Sequence, residues 1–214
     1  MNSNLIKRIF SSIVLLIILL IILNISNIFF TIFLLCIYVI SCYEWKNLSS
    51  NNFTKFVGWA FLSLSLISKY KIKNFENNDL IYFFLLISVG SDLGGFLFGK
   101  ILGGPKLTSI SPKKTYSGSI GGFILSIFFS WLYLDILDLS FFGLIFSDIK
   151  FIILVLFLSL ISQLGDLVIS YFKRKSKVKD TGKIIPGHGG LLDRIDGIIF
   201  VSPLFYLIVF IINF

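Results

Sequence analysis

The segment 151-FIILVLFLSLISQLGDLVIS-170 decides the fold of this chain. It has about the length that a helix needs to cross the hydrocarbon core of a bilayer, and Asp166 is its only charged residue. An ionisable group inside a span costs roughly 2.5–3.5 kcal/mol on insertion scales, so it indicates a functional residue. Polar residues recur at helical spacing along one side of this segment and just beyond it: Ser159, Ser162, Gln163, Asp166, Ser170 and Lys173. The segment therefore predicts a transmembrane helix with one polar side.

The rest of the chain has the same apolar character. Of its 214 residues 56% are hydrophobic, and the mean hydropathy is +0.94, far from the usage of soluble domains. We therefore predict an all-α polytopic membrane protein with about seven transmembrane helices. The apolar runs that predict them lie at about 9–23, 28–43, 56–68, 80–98, 119–134, 150–170 and 197–213.

The first apolar run is interpreted as a retained helix, because residues 24–27 lack the small-x-small pattern of a signal-peptide cleavage site. Cys36 and Cys42 both fall inside the second run, and their spacing matches neither a metal-ligand pair nor a disulfide framework. We expect them to be buried free thiols. The chain is divided into N-terminal transmembrane helices at 1–80 and a region at 81–214 that carries every motif described below.

The basic residues predict the orientation of the spans. With the N-terminus in the cytoplasm, the segments 44–55, 99–118 and 171–196 lie inside, and 24–27, 69–79 and 135–149 lie outside. Lys and Arg then divide into 15 inside and 4 outside, the latter being Lys69, Lys71, Lys73 and Lys150, which is the bias of the positive-inside rule. The net charge of +8 is explained by this topology and by anionic lipid headgroups, so it does not indicate nucleic-acid binding.

Carboxylates from distant segments fall at one predicted depth. Asp92 lies in the fourth run near its cytoplasmic end, as Asp166 does in the sixth, and Asp193 and Asp196 immediately precede the seventh. Small residues share the helix faces around them, which favours close packing of helices: Ser88, Gly95 and Gly99 on the fourth helix, and Gly118, Gly121, Gly122, Ser126 and Ser130 on the fifth. The pattern predicts a polar cleft that opens to the cytoplasmic face.

Two polar loops would border this cleft. The first, 99-GKILGGPKLTSISPKKTYSGSIGG-122, combines Gly, Ser and Lys before a helix start, which suits phosphate oxygens but equally fits an ordinary basic loop. The second, 173-KRKSKVKDTGKIIPGHGGLLDRID-196, holds 10 of the 30 charged residues and the only His. Its glycines allow close approach of a ligand, and its Asp and Arg groups suit Mg²⁺ and phosphate.

At these residues the chain resembles the phosphatidate cytidylyltransferases, the CDP-diacylglycerol synthases of membranes. The family signature is carried by Ser170, Lys173-Arg174, Lys179-Asp180, Gly182, Pro186, His188-Gly189-Gly190, Asp193-Arg194 and Asp196. The segments "SDLGGFLFGK" at 91–100, "SPKKTYSG" at 111–118 and "LGDL" at 164–167 also look like family segments. The resemblance covers roughly residues 85–214.

The resemblance implies a reaction and assigns roles to residues. CTP and phosphatidate would give CDP-diacylglycerol and pyrophosphate with Mg²⁺, the number of metal ions being left open. Asp166 and Asp193 would be metal ligands, and Lys173, Arg174 and Asp196 would join them as catalytic residues. The residues expected to bind substrate are Asp92, Ser111, Lys113, Lys114, Thr115, Ser170, Lys179, Asp180, His188, Gly189, Gly190 and Arg194. His188 could bind or protonate a phosphate, or orient the loop by a hydrogen bond.

The resemblance also implies partners and a location. The partners are CTP, phosphatidate and membrane lipids, without nucleic acid, and a homodimer is compatible with the sequence. The location is a bacterial cytoplasmic (inner) membrane, with the active site facing the cytoplasm.

The chain departs from the family pattern at two motifs and in length. Ile169 stands where the family has Glu, on the same side as Asp166, and Gly95-Phe96 replace Ala-Tyr after Asp92. The chain is also shorter than most bacterial relatives, in its N-terminal half. One polar contact of the typical site is therefore expected to be missing.

Two alternatives stay open at this point. A CDP-alcohol phosphotransferase or a CTP-dependent polyprenol kinase would also use a lipid substrate, but the D-G-x-x-A-R run that marks the phosphotransferases is absent. An ion-coupled transporter would bind a cation at its membrane Asp residues, but such proteins often carry broken helices at mid-membrane. Here the polar residues gather at one predicted face.

Overall fold

The computed structural model describes residues 20–75, 78–136, 149–185 and 189–212. The N-terminal span predicted at 9–23 lies mostly outside these ranges, and so do Pro186, His188 and most of the loop predicted at 135–149. Residues 20–25 are helical. Six helices follow: α1 (Asn27–Leu48), α2 (Asn52–Phe75), α3 (Asp79–Ile101), α4 (Tyr116–Ile136), α5 (Ile149–Lys175) and α6 (Leu192–Ile212).

The all-α prediction is confirmed for the described ranges, where β-structure is limited to two isolated bridges. Five helices there are long and apolar enough to cross a membrane, namely α1, α3, α4, α5 and α6. The run at 56–68 is helical as part of α2, but α2 is not among those five. The number of seven spans therefore stays a prediction.

Several predicted boundaries are corrected by the helices. Residues 44–48, predicted as the start of a loop, form the last turn of α1, which ends at Leu48. Asp193 and Asp196 do not precede the last helix, because α6 begins at Leu192 and includes both. Apolar runs mark only the part of a helix that is free of polar residues, so they underestimate helices whose ends carry charged groups.

The chain divides into two compact units. Unit 1 comprises the described residues up to Lys71 together with Phe172–Ile195, and unit 2 comprises those of Ile72–Tyr171 and from Asp196 onwards. The helices α2, α5 and α6 each contribute residues to both units.

Unit 2 is held together by a seam of small residues between α3 and α4. A Cβ atom added at Gly94 would lie 2.2 Å from the carbonyl oxygen of Gly121, and one at Gly90 would lie 2.9 Å from that of Leu125. The backbones of the two helices are therefore in direct contact. The small-residue face predicted on α4 is confirmed, since all five of its members are buried. On α3 the seam includes Gly90 and Gly94 beside the predicted Gly95 and Gly99, since a Cβ added at Gly118 would lie 2.7 Å from the carbonyl oxygen of Gly95 and 3.4 Å from Cα of Gly99.

Away from the seam, large side chains fill unit 2. The rings of Phe83 and Phe205 lie 5.9 Å apart, those of Phe83 and Phe151 lie 6.4 Å apart, and all three side chains are fully buried. The Ser126 hydroxyl is a donor to the carbonyl oxygen of Ile87, 2.8 Å away, so the polar atom of this buried serine is paired across the seam.

Unit 1 is organised around Trp45. Its indole NH donates to the carbonyl oxygen of Thr54 at 3.1 Å, its ring meets Phe172 edge-on at 4.7 Å, and it leaves no room for a side chain at Gly58. Cys36 and Cys42 are free thiols as predicted, but the expectation that they are buried is wrong, because Cys36 is exposed and Cys42 is half-buried.

Candidate active site

A polar cleft of about 160 Å³ opens in unit 2 between α3, the loop before α4, α4 itself and α5. Five residues predicted to take part in catalysis or binding line it, namely Asp92, Lys113, Lys114, Thr115 and Asp166. The rest of its lining is Ser91, Gly95, Phe96, Leu107, Gly118, Ser119 and Gln163. The structure thus gathers residues that are more than 70 positions apart in the sequence.

Three carboxylates cluster in unit 2. The side chain of Asp196 is buried, and the carboxyl groups of Asp166 and Asp92 both interact with it electrostatically. Like charges repel each other, so such a cluster favours a positive charge beside it. The opposite charge comes from Lys114, whose Nζ lies 2.5 Å from Oδ2 of Asp166. The Ser170 hydroxyl donates to Oδ1 of Asp166 at 3.3 Å.

The lysines are carried by a tightly folded loop. The amide of Lys114 donates to the carbonyl oxygen of Ser111 at 3.0 Å, and the amide of Leu107 donates to that of Lys114 at 2.8 Å. Thr115 is the N-cap of α4, since its hydroxyl oxygen accepts a hydrogen bond from the amide of Gly118 at 3.1 Å. Ser111 therefore acts here through its backbone, and Thr115 both lines the cleft and caps the helix.

Gln163 and Ser119 are site residues that the sequence assigned no role. The Ser119 hydroxyl donates to Oε1 of Gln163 at 2.5 Å, and Nε2 of Gln163 donates to the Ser119 carbonyl oxygen at 3.3 Å. This reciprocal pair joins α4 to α5 beside Asp166. The only signal in the sequence was the position of Gln163 on the polar side of its helix, one turn before Asp166.

A second polar cluster lies in unit 1 and is centred on Asp193. Its Oδ1 is 2.7 Å from Nζ of Lys173. Its Oδ2 accepts the Thr181 amide at 2.8 Å and the Gly190 amide at 3.1 Å. It also lies 3.1 Å from the Thr181 hydroxyl, whose single proton is shared with the carboxylate of Glu44. Lys173, Gly190 and Asp193, all predicted site residues, are therefore in direct contact, and Thr181 joins them.

Glu44, like Thr181, is a residue of unit 1 to which the sequence assigned no role. It lies near the end of α1, is 1% exposed, and accepts three hydrogen bonds. The donors are the Thr181 hydroxyl at 2.9 Å and the amides of Leu191 and Leu192 at 2.9 and 2.8 Å. Gly182 and Gly190 face Glu44 so closely that an added Cβ at either would lie within 2.6 Å of its carboxylate.

The other predicted site residues are placed as follows. Arg174, Lys179, Asp180 and Arg194 are exposed side chains of unit 1. Gly189 has φ of +93° and packs against Asp180, so a side chain there would be strained and crowded. His188 lies outside the described residues.

Ile169 is buried in unit 2 with 4% of its surface exposed, and the cleft lining does not include it. A hydrophobic side chain is therefore suited to this position. The expectation that one polar contact of the typical site is missing at Ile169 stays a prediction.

The oxygen donors in both units fit the chemistry of Mg²⁺, which is commonly held by one or two carboxylates together with waters and substrate phosphates. In unit 2 the interacting carboxyl groups of Asp166 and Asp196 favour a positive charge beside them. Within the described ranges, no group of three or more His, Cys, Asp or Glu side chains could hold a metal ion.

A family model described as the cytidylyltransferase family matches residues 53–212. This chain belongs to the cytidylyltransferase family. It is therefore a nucleotidyltransferase, and its apolar helices make it a membrane protein.

Named relatives within this cytidylyltransferase family agree with the assignment. The phosphatidate cytidylyltransferase of Rickettsia bellii is 35% identical over 210 residues, which cover 96% of this chain and 91% of the relative. Those of Staphylococcus haemolyticus and Staphylococcus aureus are 40% and 41% identical over 147 and 148 residues, which cover 68% of this chain and 54% of each relative. The matched part is thus about half the length of the staphylococcal enzymes and nearly all of the rickettsial one.

Proposed function

We propose that the protein transfers a cytidylyl group from CTP to phosphatidate, giving CDP-diacylglycerol and pyrophosphate in phospholipid synthesis. The observation that carries the proposal is the cleft of unit 2, where Asp92 and Asp166 face Lys113 and Lys114 in a member of the cytidylyltransferase family. The names of the rickettsial and staphylococcal relatives point to phosphatidate as the acceptor.

The reaction makes particular demands on the protein. A phosphate oxygen of phosphatidate attacks the α-phosphorus of CTP, a new P–O–P bond forms, and the bond from the α-phosphorus to the β-phosphate oxygen breaks to release pyrophosphate. The attacking oxygen is already ionised, so no strong general base is needed. The main difficulty is to bring two polyanions together in line, which requires positive charge and precise placement.

The residues of this chain can meet these demands. Lys113 and Lys114 offer ammonium groups to phosphate oxygens at the unit 2 cleft, and Arg174 and Arg194 are exposed in unit 1, where phosphates can reach them. Bound Mg²⁺ would neutralise the triphosphate and stabilise charge on the leaving pyrophosphate. We assign Asp166 in unit 2 and Asp193 in unit 1 as the candidate ligands for Mg²⁺.

The decisive experiment follows the label of CTP into lipid. Purified protein in detergent is given phosphatidate, Mg²⁺ and CTP labelled at either the α- or the γ-phosphate. We expect chloroform-soluble product to carry the α-label only, with release of pyrophosphate. Transfer of the γ-label would indicate a kinase, and absence of label from lipid with both substrates would contradict the proposal.

The proposal also requires the reactive groups to face the cytoplasm, where CTP is present, in a bacterial inner membrane. Single cysteines at Ser117, Ser140 and Lys177 test this in a chain whose Cys36 and Cys42 are replaced by Ser. Ser140 lies outside the described residues and is predicted to be external. In right-side-out vesicles, an impermeant thiol reagent should label Ser140→Cys alone before the membrane is opened. Labelling of Lys177→Cys from outside would instead favour the transporter alternative.

A further inference from the structure

The carboxylate of Glu44 is buried in unit 1, with 1% of the residue exposed. A buried carboxylate is costly unless hydrogen bonds or opposite charges compensate it. Here compensation comes from three donors, and all of them belong to the segment from Thr181 to Leu192. Because these donors all belong to one loop, the carboxylate is well placed to fix the conformation of that loop.

Glu44 acts on the loop at two points. The amides of Leu191 and Leu192 lie at the start of α6, where the first N–H groups have no partner within the helix. A carboxylate at that end pairs with them and interacts favourably with the helix dipole. The glycines at 182 and 190 are what allow the loop to lie directly on this carboxylate, since a side chain at either would collide with it.

A single residue connects Glu44 to Asp193. The Thr181 hydroxyl lies 2.9 Å from Oε2 of Glu44 and 3.1 Å from Oδ2 of Asp193, while the Thr181 amide also donates to Oδ2. Oδ2 of Asp193 is thereby held by the loop, and Oδ1 is the oxygen that faces the cation Lys173. The orientation of Asp193 depends on where Thr181 and Gly190 are placed.

We propose that Glu44 is a positioning residue of the cytidylyltransferase, which fixes Thr181 and the start of α6 so that Asp193 presents Oδ1 to a cation. Glu44 itself touches neither substrate nor metal in this role. The inference about the loop stands on geometry alone, while its effect on catalysis rests on the proposed function. Partners that orient a metal ligand in this way typically change metal affinity or activity by about 10- to 100-fold when they are lost.

The first test measures the loop without any reaction. Glu44→Gln keeps the volume of the side chain but loses its charge, and its amide nitrogen cannot accept a hydrogen bond. Ser41→Ala is the matched control, because Ser41 is equally buried one turn earlier and donates only to the carbonyl oxygen of Ile37 in α1. Hydrogen exchange of the full-length protein in detergent should be about tenfold faster at residues 190–193 in Glu44→Gln. Wild-type exchange there, or an equal increase in Ser41→Ala, would overturn the proposal.

The second test measures the consequence for catalysis. In Glu44→Gln the Mg²⁺ concentration for half-maximal activity should rise about tenfold, while that of Ser41→Ala stays at the wild-type value. An unchanged Mg²⁺ requirement in an active Glu44→Gln enzyme would overturn the positioning role. If wild-type protein lacks activity, the proposed function fails, and hydrogen exchange still decides whether Glu44 holds the loop.

Thr181 provides an independent test should Glu44→Gln fail to fold. Thr181→Val removes the hydroxyl and keeps the shape, so it should raise the Mg²⁺ requirement as Glu44→Gln does, whereas Thr181→Ser should restore the wild-type value. The double variant should be no worse than the more affected single variant, because both changes break one connection. Additive effects, or failure of Thr181→Ser to restore the requirement, would show that Thr181 does not connect Glu44 to Asp193.

Discussion

The two units treat their carboxylates in opposite ways. In unit 2, Asp166 and its ammonium partner Lys114 are about one quarter exposed, and the buried carboxyl group of Asp196 interacts with Asp166. In unit 1, Asp193 is 6% exposed and Lys173 is 13% exposed, and both oxygens of Asp193 accept hydrogen bonds. The ion pair of unit 2 is partly open and has further carboxyl groups in its cluster, while that of unit 1 is enclosed and internally paired. We therefore expect substitutions in unit 2 to affect catalysis mainly, and those in unit 1 to affect stability as well.

The largest effect is expected at Asp166. Asp166→Asn should lower turnover about a thousandfold, because loss of a metal-binding carboxylate removes several kcal/mol of charge stabilisation. The protein should still insert and unfold at the wild-type temperature, since Asp166 is partly exposed. Label transfer from CTP to lipid measures this, with Asp135→Asn, an exposed residue near the end of α4, as the control. Activity above about a tenth of wild type would remove Asp166 from the metal site.

The contrast between the two ion pairs is tested directly by replacing each lysine. Lys173→Met should lower the free energy of unfolding by about 3 kcal/mol, because Asp193 is left as an enclosed charge without its cation. Lys114→Met should cost less than about 1 kcal/mol, because water reaches Asp166. Thermal unfolding in detergent measures both. Equal losses of stability would mean that the units do not differ in the way described above.

The helix seam of unit 2 gives a smaller effect that is independent of charge. Gly94→Ala should destabilise the protein by about 2 kcal/mol, because its Cβ would lie 2.2 Å from the Gly121 carbonyl oxygen. Gly95→Ala should be neutral or slightly stabilising, because the nearest atom there is 4.0 Å away and Ala favours a helix. The two melting temperatures decide the matter, and similar values would argue against direct backbone contact at the seam.

The smallest effect is expected at Ser170, which donates to Asp166 over a long 3.3 Å. Ser170→Ala should reduce activity only about threefold, in keeping with a weak neutral donor. The same lipid-labelling assay measures it, and Ser162→Ala, a buried serine on the same helix, is the control. A loss of a hundredfold or more would show that Ser170 has a direct role with substrate.

Much of unit 2 could be predicted from the sequence, because helical periodicity places Asp166 and Ser170 on one side of one helix and the small residues of α4 on another. What periodicity cannot decide is which of two adjacent faces meets a neighbour. The contact face of α3 includes Gly90 and Gly94, which were not predicted, beside the predicted Gly95 and Gly99. The face of α3 that packs against α4 depends on the position of the α4 backbone, and that position cannot be predicted from a single sequence.

Unit 1 was harder to predict, because its contacts span the chain. Glu44 and Thr181 are 137 residues apart, and the segment around Glu44 reads as the end of a span followed by a polar loop. The one available signal was that Glu44 is a lone acidic residue next to an apolar run, which is costly without a partner. The motif residues Lys173 and Asp193 were recognised by resemblance, whereas the residue that supports them has no motif of its own.

The position of Glu44 also bears on how the domain should be delimited for expression or for evolutionary comparison. The family model begins at residue 53, so it excludes α1 and with it Glu44, although the loop that rests on Glu44 lies well inside the matched range. A chain cut at that boundary would retain every recognisable motif and lose the acceptor of the Leu191 and Leu192 amides. Recombination that exchanges N-terminal segments between relatives would meet the same constraint, so α1 and the motif-bearing loop are expected to be inherited as one piece.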